Sequence, residues 1–183
     1  MPFDFKETSI PGVIIIQPRK FGDDRGFFME TYKQSDFVAA GITESFCQDN
    51  HSLSSKGVLR GVHFQSAPHA QGKLLRVLAG AVWDVAVDLI PGSPTFGQHV
   101  GVELTGENGT MFYIPPGFGH GFLTLSDNTH FLYKCTEEYA PSSDGGVKWD
   151  DPDLAVKWPL QTGQVPLVSD KDAILPYLKD LSL

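Results

Sequence analysis

Residues 73–114 read KLLRVLAGAVWDVAVDLIPGSPTFGQHVGVELTGENGTMFYI, and this stretch indicates the fold class. It contains four short runs of residues that favour strands, separated by turn signals such as PG at 91–92 and ENG at 107–109. Helical patterns, which a βαβ fold requires between its strands, are missing. The stretch therefore predicts an all-β sandwich or barrel.

The same pattern continues along the chain, where glycine (19) and proline (13) interrupt short strand-forming runs. Ten strands are predicted: Val13–Gln17, Gly26–Thr31, Ser45–Asn50, Val58–Gln65, Lys73–Leu78, Ala81–Ile90, Gln98–Leu104, Met111–Ile114, Gly121–Leu125 and His130–Thr136. No internal repeat or linker stands out. We expect one domain over residues 1–183.

Two short helices and one long loop complete the prediction. Ser35 before DFVAA and Gly41 after it are typical of a helix N-cap and of the residue that follows a helix. Ser169 followed by Asp172 indicates a capping box that opens a helix near the C-terminus. The segment Pro141–Pro159 is polar and turn-rich, and a loop of that length is usually functional or covers an edge or a partner subunit.

Composition limits the compartment and the class of protein. Hydrophobic residues make up 41% and charged residues 20%, and no apolar run approaches the roughly 18 residues of a membrane span, so a soluble globular protein is expected. The start, MPFDFKETSI, shows no signal-peptide pattern, which predicts a cytoplasmic location. Cys47 and Cys135 are then expected to be reduced core residues rather than a disulfide.

Charge argues against polyanionic partners. The net charge of −8 disfavours nucleic acid or an anionic membrane surface. Residues 1–76 nevertheless carry all four arginines, Arg19, Arg25, Arg60 and Arg76, and arginine is suited to bidentate binding of phosphate. Either these arginines mark an anion site in the first half of the chain, or they cluster by chance.

The segment GVLRGVHFQ at 57–65 places Arg60 and His63 on one short strand. Residues three apart on a strand point to opposite faces, so both side chains can line one pocket only if the strand is kinked, as by a bulge at Gly61. A lone histidine in a strand is more often a structural residue than a base. The neighbouring motifs have to decide between these two roles.

A second segment, PPGFGHGF at 115–122, contains the motif P-x-G-x-x-H, whose histidine is His120. Gly57 and His63 fit the start of G-x(5)-H-x-H, and this pair of motifs resembles the cupin superfamily, whose fold is a double-stranded jelly-roll barrel. Gln65 stands where a metal-binding cupin has its second histidine, and no Glu follows to complete the ligand set. We therefore expect neither a catalytic metal nor another cofactor.

Six ordered segments resemble one family within this superfamily, the dTDP-4-dehydrorhamnose 3,5-epimerases. They are FGDDRGFFME (21–30), QDNHSLSSKGVLRGVHFQ (48–65), PPGFGHGFLTLSD (115–127), YKCTEEYAP (133–141), WDDPDLAVKWP (149–159) and SDKD (169–172). The resemblance implies a homodimer of metal-free cupin subunits. It implies as substrate the small molecule dTDP-4-dehydro-6-deoxy-glucose, inverted at C3 and C5 on the way to dTDP-L-rhamnose.

The reaction needs a base, a proton donor on the opposite face, and a cation or hydrogen-bond donor at O4, because the C4 ketone acidifies the C3 and C5 protons through an enolate. The resemblance implies these roles: His63 is the base, Asp170 its carboxylate partner, Tyr133 the proton donor and Lys73 the enolate stabiliser. On the residues alone, Asp170 is a first-turn helix acid, Tyr133 is an ordinary strand aromatic and the direction of Lys73 stays open.

The resemblance also implies contacts to the nucleotide sugar. The matching positions are Arg25, Glu30, Gln48, Asp49, Asn50, Arg60, Lys73, His120, Tyr139, Asp144 and Lys171. Tyr139 matches the position that stacks on thymine. Asp144 stands where many relatives have Glu, with Gly145 and Gly146 after it in place of a bulkier residue, so this contact stays open.

Other functions remain as alternatives. A 3-epimerase or ketoisomerase of another deoxysugar pathway would share the fold and the base, but Tyr133 argues against it. A non-catalytic sugar-nucleotide-binding cupin would not need a matched acid and base. A metal-dependent cupin oxygenase is the least favoured enzyme.

Overall fold

Strands form most of the ordered structure in the computed structural model, which describes residues 2–181. They are β1 Phe3–Glu7, β2 Ile14–Pro18, β3 Phe21–Asp23, β4 Gly26–Phe28, β5 Gln48–Ser54, β6 Leu59–Gln65, β7 Lys73–Ala79, β8 Ala81–Asp88, β9 His99–Thr105, β10 Met111–Ile114, β11 Phe118–Thr124, β12 Thr129–Cys135 and β13 Asp144–Gly146. The helices are α1 Gln34–Ala39, α2 Asp170–Ala173 and a 3₁₀ turn at Leu178–Asp180. The predicted all-β class with a few short helices is confirmed.

Two antiparallel sheets enclose the core. The first has the order β1-β2-β10-β7-β12-β5, the second the order β13-β6-β11-β8-β9, and β3 and β4 form a separate hairpin. Side chains from both sheets pack between them, among them Leu75, Phe112, Phe122 and Phe131. These aromatic rings account for much of the buried apolar area, the main favourable contribution to folding. The core fills one part of the space between the sheets, and the functional cavity described below occupies another.

Loops and helices cover the outer faces of the sheets. Phe37 of α1 packs on the first sheet, in a cluster with Phe3 and Met111. On the second sheet, Val147, Leu154 and Trp158 pack against the outward side chains of β6 and β8. The segment 141–159 therefore covers a sheet face, one of the kinds of role expected for it, and through β13 it also forms the sheet edge, which the sequence did not predict. No helix within residues 2–181 is long and apolar enough to span a membrane.

All ten predicted strands overlap an observed strand, and Met111–Ile114 has the predicted bounds. Ser45–Asn50 is displaced, because β5 begins only at Gln48 and continues to Ser54. The three strands that the sequence analysis missed are β1, β3 and β13. The last two read FGD and DGG, which local preference disfavours as strands, so their pairing with neighbouring chain segments must hold them.

The predictions for the helix ends and for the cysteines are confirmed only in part. Gly41 follows α1 with φ of +90°, as predicted, but the N-cap is Lys33 rather than Ser35. Ser169 caps α2, because its side chain accepts a hydrogen bond from the Asp172 N–H. Both cysteines are free thiols, yet only Cys135 is a core residue. Cys47 is exposed, so its prediction as a core residue was wrong.

Candidate active site

A bulge in β6 brings Arg60 and His63 to the same side of the strand. His120 of β11 pairs with His63, and Phe122 pairs with Arg60. The two pairs are three residues apart on β6 but two residues apart on β11, so β6 contains one extra residue. Gly61 within the bulge has φ of +110°, and a Cβ there would lie 2.6 Å from both the Gly121 Cα and the His120 carbonyl oxygen. Only glycine fits this position. The predicted kink at Gly61 is confirmed.

Arg60 and His63 open into a cavity of about 490 Å³ between the two sheets. Most of the predicted site residues line it: His63, Lys73, Tyr133, Gln48, Asn50, Arg60, His120, Tyr139, Asp144 and Lys171. They come from six strands and α2 as well as from the loop after β12, so the fold assembles residues that lie far apart in sequence. A cavity of this size suits a small-molecule ligand.

Three predicted substrate contacts lie outside this lining. Asp49 sits between Gln48 and Asn50 on β5, so strand alternation turns it to the outer face, where it pairs with Lys134. Arg25 lies at the turn of the β3–β4 hairpin and pairs with Asp23. Glu30 follows that hairpin. Within one chain, therefore, none of the three contributes to the cavity wall.

His63 is held by Asp172, not by the predicted Asp170. The His63 Nε2 lies 2.6 Å from the Asp172 Oδ1, and the Asp172 side chain is only 4% exposed. Burial by itself would raise the pKa of Asp172, but the hydrogen bond and charge of His63 outweigh it and hold that pKa below its usual value. Asp172 is therefore an ionised carboxylate at neutral pH, able to orient the ring and stabilise an imidazolium.

The geometry of α2 explains why the prediction of Asp170 was wrong. Ser169 is the N-cap, so Asp170 is the first helical residue and Asp172 the third. At 3.6 residues per turn these two side chains point about 200° apart. Asp172 faces β6, whereas Asp170 is exposed. The capping pattern noticed in the sequence contained the right residue, but nothing in it connected Asp172 to His63.

Lys73 lies inward at the base of the cavity, which answers the question of its direction. Its side chain is buried, and burial lowers the pKa of Lys73, while nearby Cys135 and Asp84 oppose that change. Asp84 is fully buried and accepts a hydrogen bond from His120 Nε2 at 3.1 Å. Burial likewise lowers the pKa of His120, against the effect of Asp84. The result is a lysine close to one buried carboxylate, which also takes the single N–H of the neutral His120 ring.

Tyr133 lies on β12 of the first sheet, whereas His63 lies on β6 of the second. Both line the cavity, so they face it from opposite walls. Burial raises the pKa of Tyr133, against a small opposing effect of Arg60, so the phenol keeps its proton at neutral pH. The two walls thus supply a base and an acid to one space.

The Nε2 atoms of His63 and His120 are both already hydrogen-bonded, and so is the side-chain amide of Gln65. The two Nε2 atoms are bonded to Asp172 and Asp84, and the Gln65 amide makes hydrogen bonds to loop backbone. Among residues 2–181, no cluster of three or more His, Cys, Asp or Glu residues is arranged to hold a metal ion.

The cavity also contains residues that the sequence analysis did not assign to it: Phe64, Gln65, Gln71, Phe122, Ser169 and Asp172. Phe64, Gln65 and Phe122 lie inside the two quoted motifs, and Ser169 and Asp172 form the quoted capping pattern, so motif position was a signal for these five. Gln71 carried no such signal.

Comparison with known proteins identifies the family. The profile of dTDP-4-dehydrorhamnose 3,5-epimerase matches residues 7–180. The enzyme of that name from Pseudomonas aeruginosa is 54% identical over 165 residues, covering 90% of each chain. The chain belongs to the dTDP-4-dehydrorhamnose 3,5-epimerase family. Its membership makes it an isomerase of the epimerase class.

Solved structures of epimerases share the fold. A Legionella pneumophila dTDP-6-deoxy-D-glucose-3,5-epimerase in complex with dTDP-4-keto-L-rhamnose has a TM-score of 0.94 and 49% identity, covering 98% of this chain and 95% of its own. A 3'-monoepimerase from Streptomyces bikiniensis in complex with dTDP-quinovose has a TM-score of 0.87 and 36% identity, covering 94% and 86%. The double-stranded jelly-roll of the cupin type, expected from the sequence, is confirmed.

Proposed function

We propose that this epimerase inverts C3 and C5 of dTDP-4-dehydro-6-deoxy-D-glucose to form dTDP-4-dehydro-L-rhamnose, and that the cavity between the two sheets performs the chemistry. The observation that carries the proposal is the opposition of His63 and Tyr133 on facing walls. Inversion requires that a proton leave one face of the sugar and return to the other, and a base and an acid on opposite walls meet that requirement.

His63 is the proposed base, oriented by Asp172. Because Nε2 is bonded to Asp172, Nδ1 is the ring nitrogen left to take the proton from C3 or C5. The C–H electron pair moves into the bond to C4, and the C4 carbonyl becomes an enolate. Asp172 then stabilises the imidazolium that forms.

Lys73 is the proposed donor to the enolate oxygen, and His120 is a proposed substrate contact whose N–H is bonded to Asp84. Lys73 is buried, so water does not screen its interaction with a developing negative charge. Asp84 balances the charge of Lys73 in the free enzyme and holds the His120 ring. Tyr133 then delivers the proton to the opposite face of the enolate carbon, and inversion is complete.

Exchange of solvent deuterium into the sugar tests this mechanism. In D2O the wild type should place deuterium at both C3 and C5. His63→Asn should abolish exchange at both carbons and leave dTDP binding nearly unchanged, because it removes only the base. Tyr133→Phe should keep exchange but slow product formation by about 100-fold or more, because the base stays and the acid is lost.

Two results would contradict the proposal. No label at either carbon in the wild type would exclude this chemistry. Label at C3 alone would make the protein a 3-epimerase, like the 3'-monoepimerase from Streptomyces bikiniensis.

We also propose that the protein is a homodimer whose subunits complete each other's sites. Arg25 is 89% exposed, and the hairpin that carries it exposes Phe21, Phe27 and Phe28. Three exposed rings on a detached hairpin are unusual for a monomer. Arg25 and Glu30, which a single chain keeps out of its own cavity, would reach the cavity of the partner and contact the nucleotide there.

Mass and complementation test the dimer. A 20.0 kDa chain should sediment as a particle of about 40 kDa. When His63→Asn and Arg25→Ala chains are co-refolded, the mixed dimer should regain activity, because one of its two sites combines an intact cavity with an intact hairpin. A monomer, or a mixture as inactive as its parents, would contradict the proposal.

The compartment is proposed to be the cytoplasm. Both cysteines are free thiols, as expected in a reducing environment.

A further inference from the structure

Three glutamine side chains hold the backbone of the loop 137–140, which carries Tyr139. Each of the four loop residues has one backbone group bonded to a glutamine from the cavity wall. The bonds are Gln71 Nε2 to the Glu137 carbonyl (2.7 Å), Gln65 Nε2 to the Glu138 carbonyl (3.2 Å), the Tyr139 N–H to Gln48 Oε1 (2.9 Å) and the Ala140 N–H to Gln65 Oε1 (2.8 Å).

Gln65 and Gln71 are buried, so the hydrogen bonds they make are structurally important. Gln65 Nε2 also donates to the His69 carbonyl at 2.7 Å, which occupies its second N–H. Both donors of this amide are therefore bonded to backbone. Although Gln65 lines the cavity, one of its N–H groups bonds to the loop 137–140 and the other to His69, so neither is free for a ligand.

Tyr139 itself is held at two points. Its backbone N–H is bonded to Gln48, and its hydroxyl donates to Asp144 Oδ2 at 3.2 Å. Tyr139 as a residue is still 55% exposed and lines the cavity, so its side chain is accessible to a planar ligand. A loop that is ordered before binding does not lose that conformational freedom when the ligand binds.

We propose that Gln65 and Gln71 are positioning residues that preorganise Tyr139 for stacking on the nucleotide base. They set the affinity for the dTDP part of the substrate and take no part in proton transfer. This inference rests on the proposed function, in which Tyr139 contacts the base. It adds Gln65 and Gln71 as residues that affect nucleotide binding through Tyr139.

Substitution by methionine removes the hydrogen bonds and keeps the side-chain length. Calorimetry with dTDP should show a Kd raised about tenfold in Gln65→Met, and a smaller rise in Gln71→Met, which loses a single bond. KM for the sugar nucleotide should rise in parallel, and kcat should stay within about twofold. Gln71→Met also keeps the test decisive if Gln65→Met does not fold.

Gln17→Met is the matched control. Gln17 also anchors a loop, through bonds with the Asn108 carbonyl and the Thr110 hydroxyl, but it does not line the cavity. Its substitution should leave the Kd for dTDP unchanged. A control effect as large as that of Gln65→Met would show a general loss of stability and overturn the inference.

A double-mutant cycle tests whether Gln65 acts through Tyr139. In a Tyr139→Ala background, Gln65→Met should weaken dTDP binding no further, because the ring that it positions is gone. An undiminished effect in that background, or an unchanged Kd in the single variant, would overturn the inference. Since dTDP binding needs no turnover, a chain that passes this cycle but fails deuterium exchange would contradict the proposed reaction alone.

Discussion

The carboxylate that holds His63 lies at the third residue of a four-residue helix, and this position decides which aspartate can act. Asp170 and Asp172 are chemically identical and two residues apart, yet one is exposed and the other lies 2.6 Å from the imidazole. Lys171, between them, bonds to Asp144 across the cavity rim. The alternation comes from helix geometry, which sends successive side chains in different directions.

Asp172→Asn should lower kcat by about 100-fold or more, with KM changed only a few-fold, because the amide neither fixes the same ring tautomer nor stabilises an imidazolium. Asp170→Asn is the matched control and should leave kcat at the wild-type value. Steady-state kinetics on the two variants decides the assignment. The reverse result would restore Asp170 as the partner.

At the scale of elements, the site depends on how β6 departs from a regular strand. A strand without a bulge would put Arg60 and His63 on opposite faces, whereas the extra residue opposite β11 turns both into the cavity. The cavity also needs two sheets, since the base His63 lies on one, and Tyr133 and Lys73 lie on the other.

Gly61→Ala should lower the free energy of unfolding by about 3 kcal/mol and lower kcat, because the new methyl overlaps the backbone of β11. Gly92→Ala is the control for backbone strain alone: φ there is +80° and nothing lies within 4 Å of the added Cβ. It should cost about 1 kcal/mol and leave kcat unchanged. Urea unfolding measures both, and equal losses would show that crowding at Gly61 is unimportant.

At the scale of the whole molecule, an acidic protein places three cationic side chains around its cavity, against the two carboxylates Asp144 and Asp172. The net charge of the chain is −8, yet Arg60, Lys73 and Lys171 all line the cavity. Of the basic residues in the first half, where an anion site was sought, Arg60 and Lys73 line the cavity, whereas Lys171 comes from the C-terminal helix. Arg19 lies over the Phe21 ring, and Arg76 lines a different surface depression, so neither contributes to the site.

The pKa of Asp172 also predicts how the stability of the whole protein depends on pH. Because this pKa is lower in the folded protein than its ordinary value of 3.8, the ionised form contributes stability that is complete above pH 3.8 and is lost as the pH falls below it. The difference in unfolding free energy between wild type and Asp172→Asn should therefore shrink as the pH falls from 5 to about 2.5. Urea unfolding across this range measures it, and a constant difference would contradict the depressed pKa.

The sequence by itself determined the all-β class, nearly all the strands, the family and most residues of the cavity, including His63, Lys73 and Tyr133. Local signals suffice for these because turns, strand preference and ordered motifs are written in short segments. Only the tertiary structure decided that Asp172 holds His63, that Lys73 points inward, that Asp49 points outward, and that Arg25 lies away from the cavity of its own chain. Each of these depends on which distant segments pack together. The helix α2, for example, packs on β6 although more than a hundred residues separate them. Contacts between such distant segments produce no periodic pattern in the sequence.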